Sequence, residues 1–138
     1  MSIKSIAHVC IKSTDLDATE KFYCGALGFT RKFDFTRKGK LIGFYMKAAN
    51  ETFVEVFLAE EIAKIDKQML NHFCLETESL EALHQKLIAK GYTPGEIKMA
   101  ADHTAQFWMD DPNGMALEFQ EYSEKSAQRT GNPVEVDW

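Results

Sequence analysis

The chain has 138 residues, 45% apolar and 27% charged, enough for one domain with a core of its own. A formal net charge of -5 with no long basic stretch argues against a nucleic-acid partner, and no apolar run approaches the roughly 20 residues that would span a bilayer. Met1-Ser2-Ile3-Lys4 lacks the apolar segment of a secretion signal, and three cysteines without CxxC spacing make no disulfide framework, so a cytoplasmic location with free thiols is expected.

In chain order, a β-rich run covers 3–11. A helix follows from Thr14 or Asp15, carries Leu16, Phe22, Tyr23, Ala26 and Leu27 on one stripe, and stops at Gly28. Strands are expected over 30–36, 41–47 and 52–58, with turns at Lys38-Gly39 and Ala49-Asn50. Arg31, Lys32, Arg37, Lys38 and Lys40 make a basic cluster, read as a solvated hairpin, with contact to a small anion as the alternative. A linker spans 59–68, with a short helix left open there. A strand over 69–75 leads to a second helix from Thr77 or Ser79, with Leu80, Leu83 and Leu87 on its stripe and Gly91 at its end. Strands over 93–98, 105–109 and 115–120 complete the pattern, the last two joined by the turn Asp111-Pro112-Asn113-Gly114. The tail from 122 to 138 is polar and expected at the surface.

These elements repeat. Ile6-Ala7-His8-Val9-Cys10 is echoed by Leu70-Asn71-His72-Phe73-Cys74, and Phe53-Val54-Glu55-Val56 by Ala116-Leu117-Glu118-Phe119. His8 precedes Glu55 by 47 positions, and His72 precedes Glu118 by 46. The expectation is an α+β fold of two βαβββ modules, one over 3–58 and the other over 69–121, forming a curled mixed sheet in a single domain over 1–138.

Strand alternation sets Val54, Val56, Met115, Leu117 and Phe119 toward the helices, and Phe53, Glu55, Phe57, Ala116, Glu118 and Gln120 toward the opposite face. A carboxylate centred in an apolar strand is costly without a partner. If a pseudo-twofold relates the modules, His8, Glu55, His72 and Glu118 converge. Two imidazoles and two carboxylates suit one divalent cation per site: nickel or zinc first, with cobalt, manganese and iron also fitting, and calcium excluded.

The motifs Ile6-Ala7-His8-Val9, Phe22-Tyr23 with Leu27-Gly28-Phe29, Val54-Glu55-Val56, Asn71-His72-Phe73 and Asp111-Pro112-Asn113-Gly114 with Leu117-Glu118-Phe119 resemble the vicinal oxygen chelate superfamily over about residues 3–121. That group includes glyoxalase I, methylmalonyl-CoA epimerase, extradiol dioxygenases and fosfomycin and bleomycin resistance proteins. The resemblance implies a paired-module sheet around a metal that chelates two adjacent substrate oxygens. A fourth ligand at Glu55 is closer to glyoxalase I than to the extradiol dioxygenases. The resemblance therefore implies a metal-dependent lyase or isomerase that moves a proton beside a chelated carbonyl, as in a 2-oxoaldehyde hemithioacetal. Glu118 is then the leading base and Glu55 its partner. Lys12 stands where glutathione-using relatives carry Arg, and Lys lacks the bidentate fork, so another thiol is equally admissible. A homodimer and a small-molecule substrate are implied, with the site built within one chain or across two. An Fe(II) extradiol-type dioxygenase and a non-catalytic drug-binding resistance-type protein are the alternatives.

Lys12, Phe53, Phe57, His103 and Trp108 are candidate substrate contacts, each with a solvated or packing role as the simpler reading. Cys10 and Cys74 are read first as small buried filler and Cys24 as core. His84 is expected to be solvated or paired with its helix neighbours.

Overall fold

The helices that follow Asp15 and Ser79 begin on side-chain caps. Asp15 accepts from the Ala18 amide at 2.9 Å, and Ser13 Oγ accepts from the Asp15 amide at 2.9 Å while meeting Thr19 Oγ1 at 2.8 Å. Ser79 accepts from the Ala82 amide at 3.3 Å. Asp15→Ala is expected to cost about 1 kcal/mol, read as a lowered midpoint in thermal unfolding. Gly28 (φ 81°) and Gly91 (φ 88°) end the helices in the left-handed region, which explains glycine there.

The computed structural model describes residues 5–62 and 69–136, in two compact units divided at 67/68. The first holds β1 (His8–Ser13), α1 (Leu16–Glu20) widening into a π-helical turn (Lys21–Ala26), β2 (Thr30–Arg37), β3 (Lys40–Ala49) and β4 (Thr52–Leu58). The second holds β5 (Phe73–Glu76), α2 (Leu80–Ala89), β6 (Lys98–Met99), β7 (Ala105–Asp110), β8 (Ala116–Glu121) and α3 (Ala127–Thr130). The first unit's sheet runs β1-β4-β3-β2 and the second's β5-β8-β7-β6. In each, the strand before the helix pairs parallel with the last strand, and the other pairings are antiparallel. The βαβββ order expected from the sequence is thus present twice, as two open four-stranded mixed sheets.

Each sheet buries the face that alternation assigns to the core. Val56, Phe44 and Met46 are fully buried with Phe22 and Tyr23 of the first helical segment. In the second unit Leu117, Phe107 and Phe119 are buried with Leu80 and Leu87 of α2, and the Phe107 and Phe119 rings stack at 4.7 Å.

Several expectations need correction. The run over 93–98 forms a strand only at Lys98–Met99. Pro94 has no amide to donate, and Gly95 instead makes one close approach, its amide donating to the Trp108 carbonyl at 2.7 Å. The expected strand over 69–75 begins at Phe73, so His72 precedes it. The strand expected over 3–11 runs from His8 to Ser13. Most of the 59–68 linker, and with it the question of a short helix, lies outside the described residues.

The polar tail lies largely at the surface, as expected, and is tied down by specific hydrogen bonds. Gln128 Nε2 donates to Asp102 Oδ2 at 2.6 Å, Thr104 Oγ1 donates to Gln128 Oε1 at 3.0 Å, and the Ala127 amide donates to the Asp102 carbonyl at 2.9 Å. These bonds tie the turn at Ser126–Gln128 to the loop before β7, while most of the tail's side chains stay exposed. Among the described residues no helix is long and apolar enough to cross a membrane.

Candidate metal centre

In the first unit the parallel register sets Cys10 opposite Glu55, so His8 reaches Glu55 diagonally. His8 Nε2 lies 3.5 Å from Glu55 Oε2. The second unit repeats the arrangement: Cys74 is opposite Glu118, and His72 Nε2 lies 3.4 Å from Glu118 Oε2. Both separations exceed the usual 2.7–3.2 Å of an N–H···O hydrogen bond. They match the roughly 3.0–3.5 Å between two donors that share a cation at about 2.1 Å from each.

His72 Nδ1 lies 2.8 Å from Asn71 Oδ1, an acceptor, so Nδ1 donates there and Nε2 is the nitrogen turned to Glu118. Asn71 thus orients the ring as an outer partner of a ligating histidine would.

Glu118 is held more firmly than Glu55. Gln120 Nε2 donates to Glu118 Oε1 at 3.0 Å. With its amide turned to satisfy both neighbours, Gln106 also donates to that oxygen at 2.6 Å and accepts from Trp108 Nε1 at 3.3 Å. Oε2 is left toward His72. Glu118 is only 8% exposed, so these donors offset the cost of desolvating a charge.

Each unit thus supplies one imidazole and one carboxylate. Among the described residues no group of three or more His, Cys, Asp or Glu side chains stands ready as a metal site. The donor types and their spacing within each unit fit part of a borderline-metal shell.

Lys12, Phe53 and Phe57 share the sheet face of His8 and Glu55 by register. The Trp108 ring packs edge-on against His72 at 4.6 Å. His72, Glu118 and Trp108 line a cavity of about 630 Å³ in the second unit, together with Val134 and Val136 of the tail. His103 takes a positive φ of 59° and lines a neighbouring cavity of about 280 Å³, which neither His72 nor Glu118 lines. His84 leaves its helix neighbours aside: its ring N–H donates to the Gly95 carbonyl at 2.8 Å. Asn71, Gln106, Gln120 and the two tail valines were not singled out from the sequence. Gln120 carried a signal, since it lies two residues after Glu118 on the same strand face.

Cys10 and Cys74 are not buried filler, because both reach the surface on the histidine–glutamate face. Desolvation against the sheet and then the Glu55 carboxylate raise the Cys10 thiol. Desolvation and then Glu118 push Cys74 up to about 12. Cys24, half-buried instead of core, is raised by burial first and then by Glu20. In chelator-treated protein at pH 8 Cys74 is therefore expected to react with a disulfide reagent at least tenfold more slowly than a free cysteine. Rapid release of three equivalents from the folded protein would contradict the arrangement.

The profile of the Glyoxalase/Bleomycin resistance protein/Dioxygenase superfamily matches residues 5–119. The chain belongs to that superfamily. Solved structures share the fold at low identity. A glyoxalase family protein from Enterococcus faecalis is 24% identical with a TM-score of 0.76, over 88% of this chain and 100% of that one. Lactoylglutathione lyase from Agrobacterium tumefaciens is 17% identical with a TM-score of 0.67, over 88% and 96%. TnmS3, an antibiotic binding protein from a Streptomyces species, is 18% identical with a TM-score of 0.67, over 89% and 99%. No curated protein matches the chain significantly. The superfamily thus contains both catalysts and binding proteins.

Proposed function

We propose that the protein is a metal-dependent lyase or isomerase that moves a proton next to a chelated carbonyl, with a 2-oxoaldehyde hemithioacetal as the nearest substrate class. The observation that carries this reading is the duplicated pair: imidazole Nε2 against carboxylate Oε2, at 3.5 Å in one unit and 3.4 Å in the other. His8, Glu55, His72 and Glu118 would hold one divalent cation, nickel or zinc foremost. Such a cation supplies Lewis-acid stabilisation of charge developing on the substrate oxygens.

Glu118 is the proposed base. Gln120 and Gln106 hold its Oε1, and its Oε2, once released from the cation, would take a proton from one carbon and return it to the next. Glu55 is its proposed partner. Trp108 would wall the cavity beside His72 and Glu118, and Lys12 would offer a charge to an anionic substrate group. A homodimer and a soluble, cytoplasmic setting accompany the reading.

The test is elemental analysis of protein purified without chelator, followed by assay of 2-oxoaldehydes with several thiols. One bound divalent metal per chain and conversion of a hemithioacetal support the proposal. Metal-independent ligand binding without turnover points to the antibiotic-binding relatives instead, and oxygen uptake with catechols to a dioxygenase.

A further inference from the structure

The two sheets have the same register but opposite chemistry on their open faces. In the first unit one rung across the sheet reads Lys12, Phe57, Gly43, Phe35, and the next reads Cys10, Glu55, Tyr45, Phe33. The corresponding rungs of the second unit read Glu76, Gln120, Gln106, Lys98, and then Cys74, Glu118, Trp108. Phe57 thus corresponds to Gln120, and Gly43 to Gln106. One half surrounds its glutamate with amides, the other with phenyl rings.

The rings of the first unit are arranged as a surface. Phe33 stacks on Tyr45 at 4.7 Å and 16°, Tyr45 meets Phe53 at 5.0 Å, and Phe35 meets Phe57 at 4.7 Å. Gly43 makes the last contact possible. A side chain there would collide with the Val56 carbonyl and come within 2.9 Å of the Phe57 ring. The core does not need this surface, because the opposite face of the same strands, with Phe44, Met46, Val54 and Val56, is the buried one. Phe33 remains 49% exposed. The array is continuous with the proposed ligands: the Tyr45 ring lies 5.7 Å from that of His8, and Tyr45 is the register partner of Glu55.

We infer that the first unit's ring face binds a planar aromatic portion of the substrate, attached directly to the two chelated oxygens. This rests on the metal-dependent reading above and names the substrate class for the same site. Strand spacing sets the size of the group. Tyr45 stands one strand from Glu55, about 4.8 Å, and Phe33 two strands, about 10 Å, so a fused bicyclic ring reaches across both. Offset stacking on rings already held in place favours a flat π-system over an alkyl chain.

Two hydroxamates test this, since they share the same pair of chelating oxygens: 2-naphthohydroxamate and acetohydroxamate. Titration calorimetry on the nickel-loaded protein is expected to show the naphthyl ligand bound about 100-fold more tightly. In the Phe33→Leu/Tyr45→Leu protein that preference is expected to fall about tenfold, with acetohydroxamate affinity and nickel content unchanged. Circular dichroism verifies that the variant is folded, and the single Phe33→Leu protein, changed at an exposed position, gives the same comparison if it is not. Equal binding of the two ligands by the wild type overturns the inference and leaves the metal reading standing. A naphthyl preference that persists without metal supports the ring face but overturns the chelation reading. A change of oligomeric state in the variant overturns the inference by making the face a contact between copies, and failure of both ligands to bind overturns both proposals.

Discussion

His72→Ala protein purified without chelator is expected to retain a small fraction of a metal equivalent, and to turn over at least about 10³-fold more slowly than wild type. His72 contributes the Nε2 that faces Glu118 Oε2 at 3.4 Å. Removing it leaves a carboxylate that is 8% exposed, without its nitrogen partner and with only amide donors. A cation that stabilises developing charge by about 4 kcal/mol accounts for a factor of about 10³ in rate. His8→Ala is expected to act the same way, since its separation from Glu55 is 3.5 Å. Asn71→Ala tests the orientation argument more gently, with a loss of about 10–100-fold in metal affinity as the imidazole loses its fixed tautomer. A full equivalent of metal retained by His8→Ala or His72→Ala would remove the basis for the site.

Gly43→Ala is expected to destabilise the protein by about 3 kcal/mol, lowering the thermal midpoint by about 10 °C. The new methyl group would press on the Val56 carbonyl and on Phe57 Cδ1 at 2.9 Å. The carbonyl belongs to β4, whose pairing with β3 holds Phe44 opposite Val56 and Gly43 opposite Phe57. Neither strand can yield without disturbing that ladder and the buried side chains beneath it. Gly25→Ala is the control with the opposite sign. A Cβ at Gly25 meets only Lys21 Cγ at 3.9 Å, and the position lies in the helical segment, where alanine is worth about 0.5–1 kcal/mol over glycine. Calorimetric unfolding of both variants gives the comparison, and a neutral Gly43→Ala would show that the notch in the ring face is not tightly packed.

The repeat and the strand period were legible in the sequence, because they are properties of spacing. A two-residue period must send Val54 and Val56 to one face and Glu55 to the other, and matched offsets must give two units of one topology. Glycines at 28 and 91 could be read as helix ends because few residues take positive φ without strain. The same reasoning failed over 93–97, where β-prone composition met a proline that cannot complete a ladder. The tail was legible as a surface segment, but its hydrogen bonds to Asp102 and Thr104 were not, because they depend on residues far away in the chain.

The sequence by itself determined which residue types alternate along each strand, and so that Glu55 and Glu118 lie on the face opposite Val54, Val56, Leu117 and Phe119. Only tertiary structure decided how each pair is held: Gln106 and Gln120 on one carboxylate, Asn71 on one imidazole, and an array of rings around the other glutamate. Intra-strand period is set by local backbone geometry, whereas cross-strand neighbours depend on register. Register brings together residues tens of positions apart, and no local rule records that pairing.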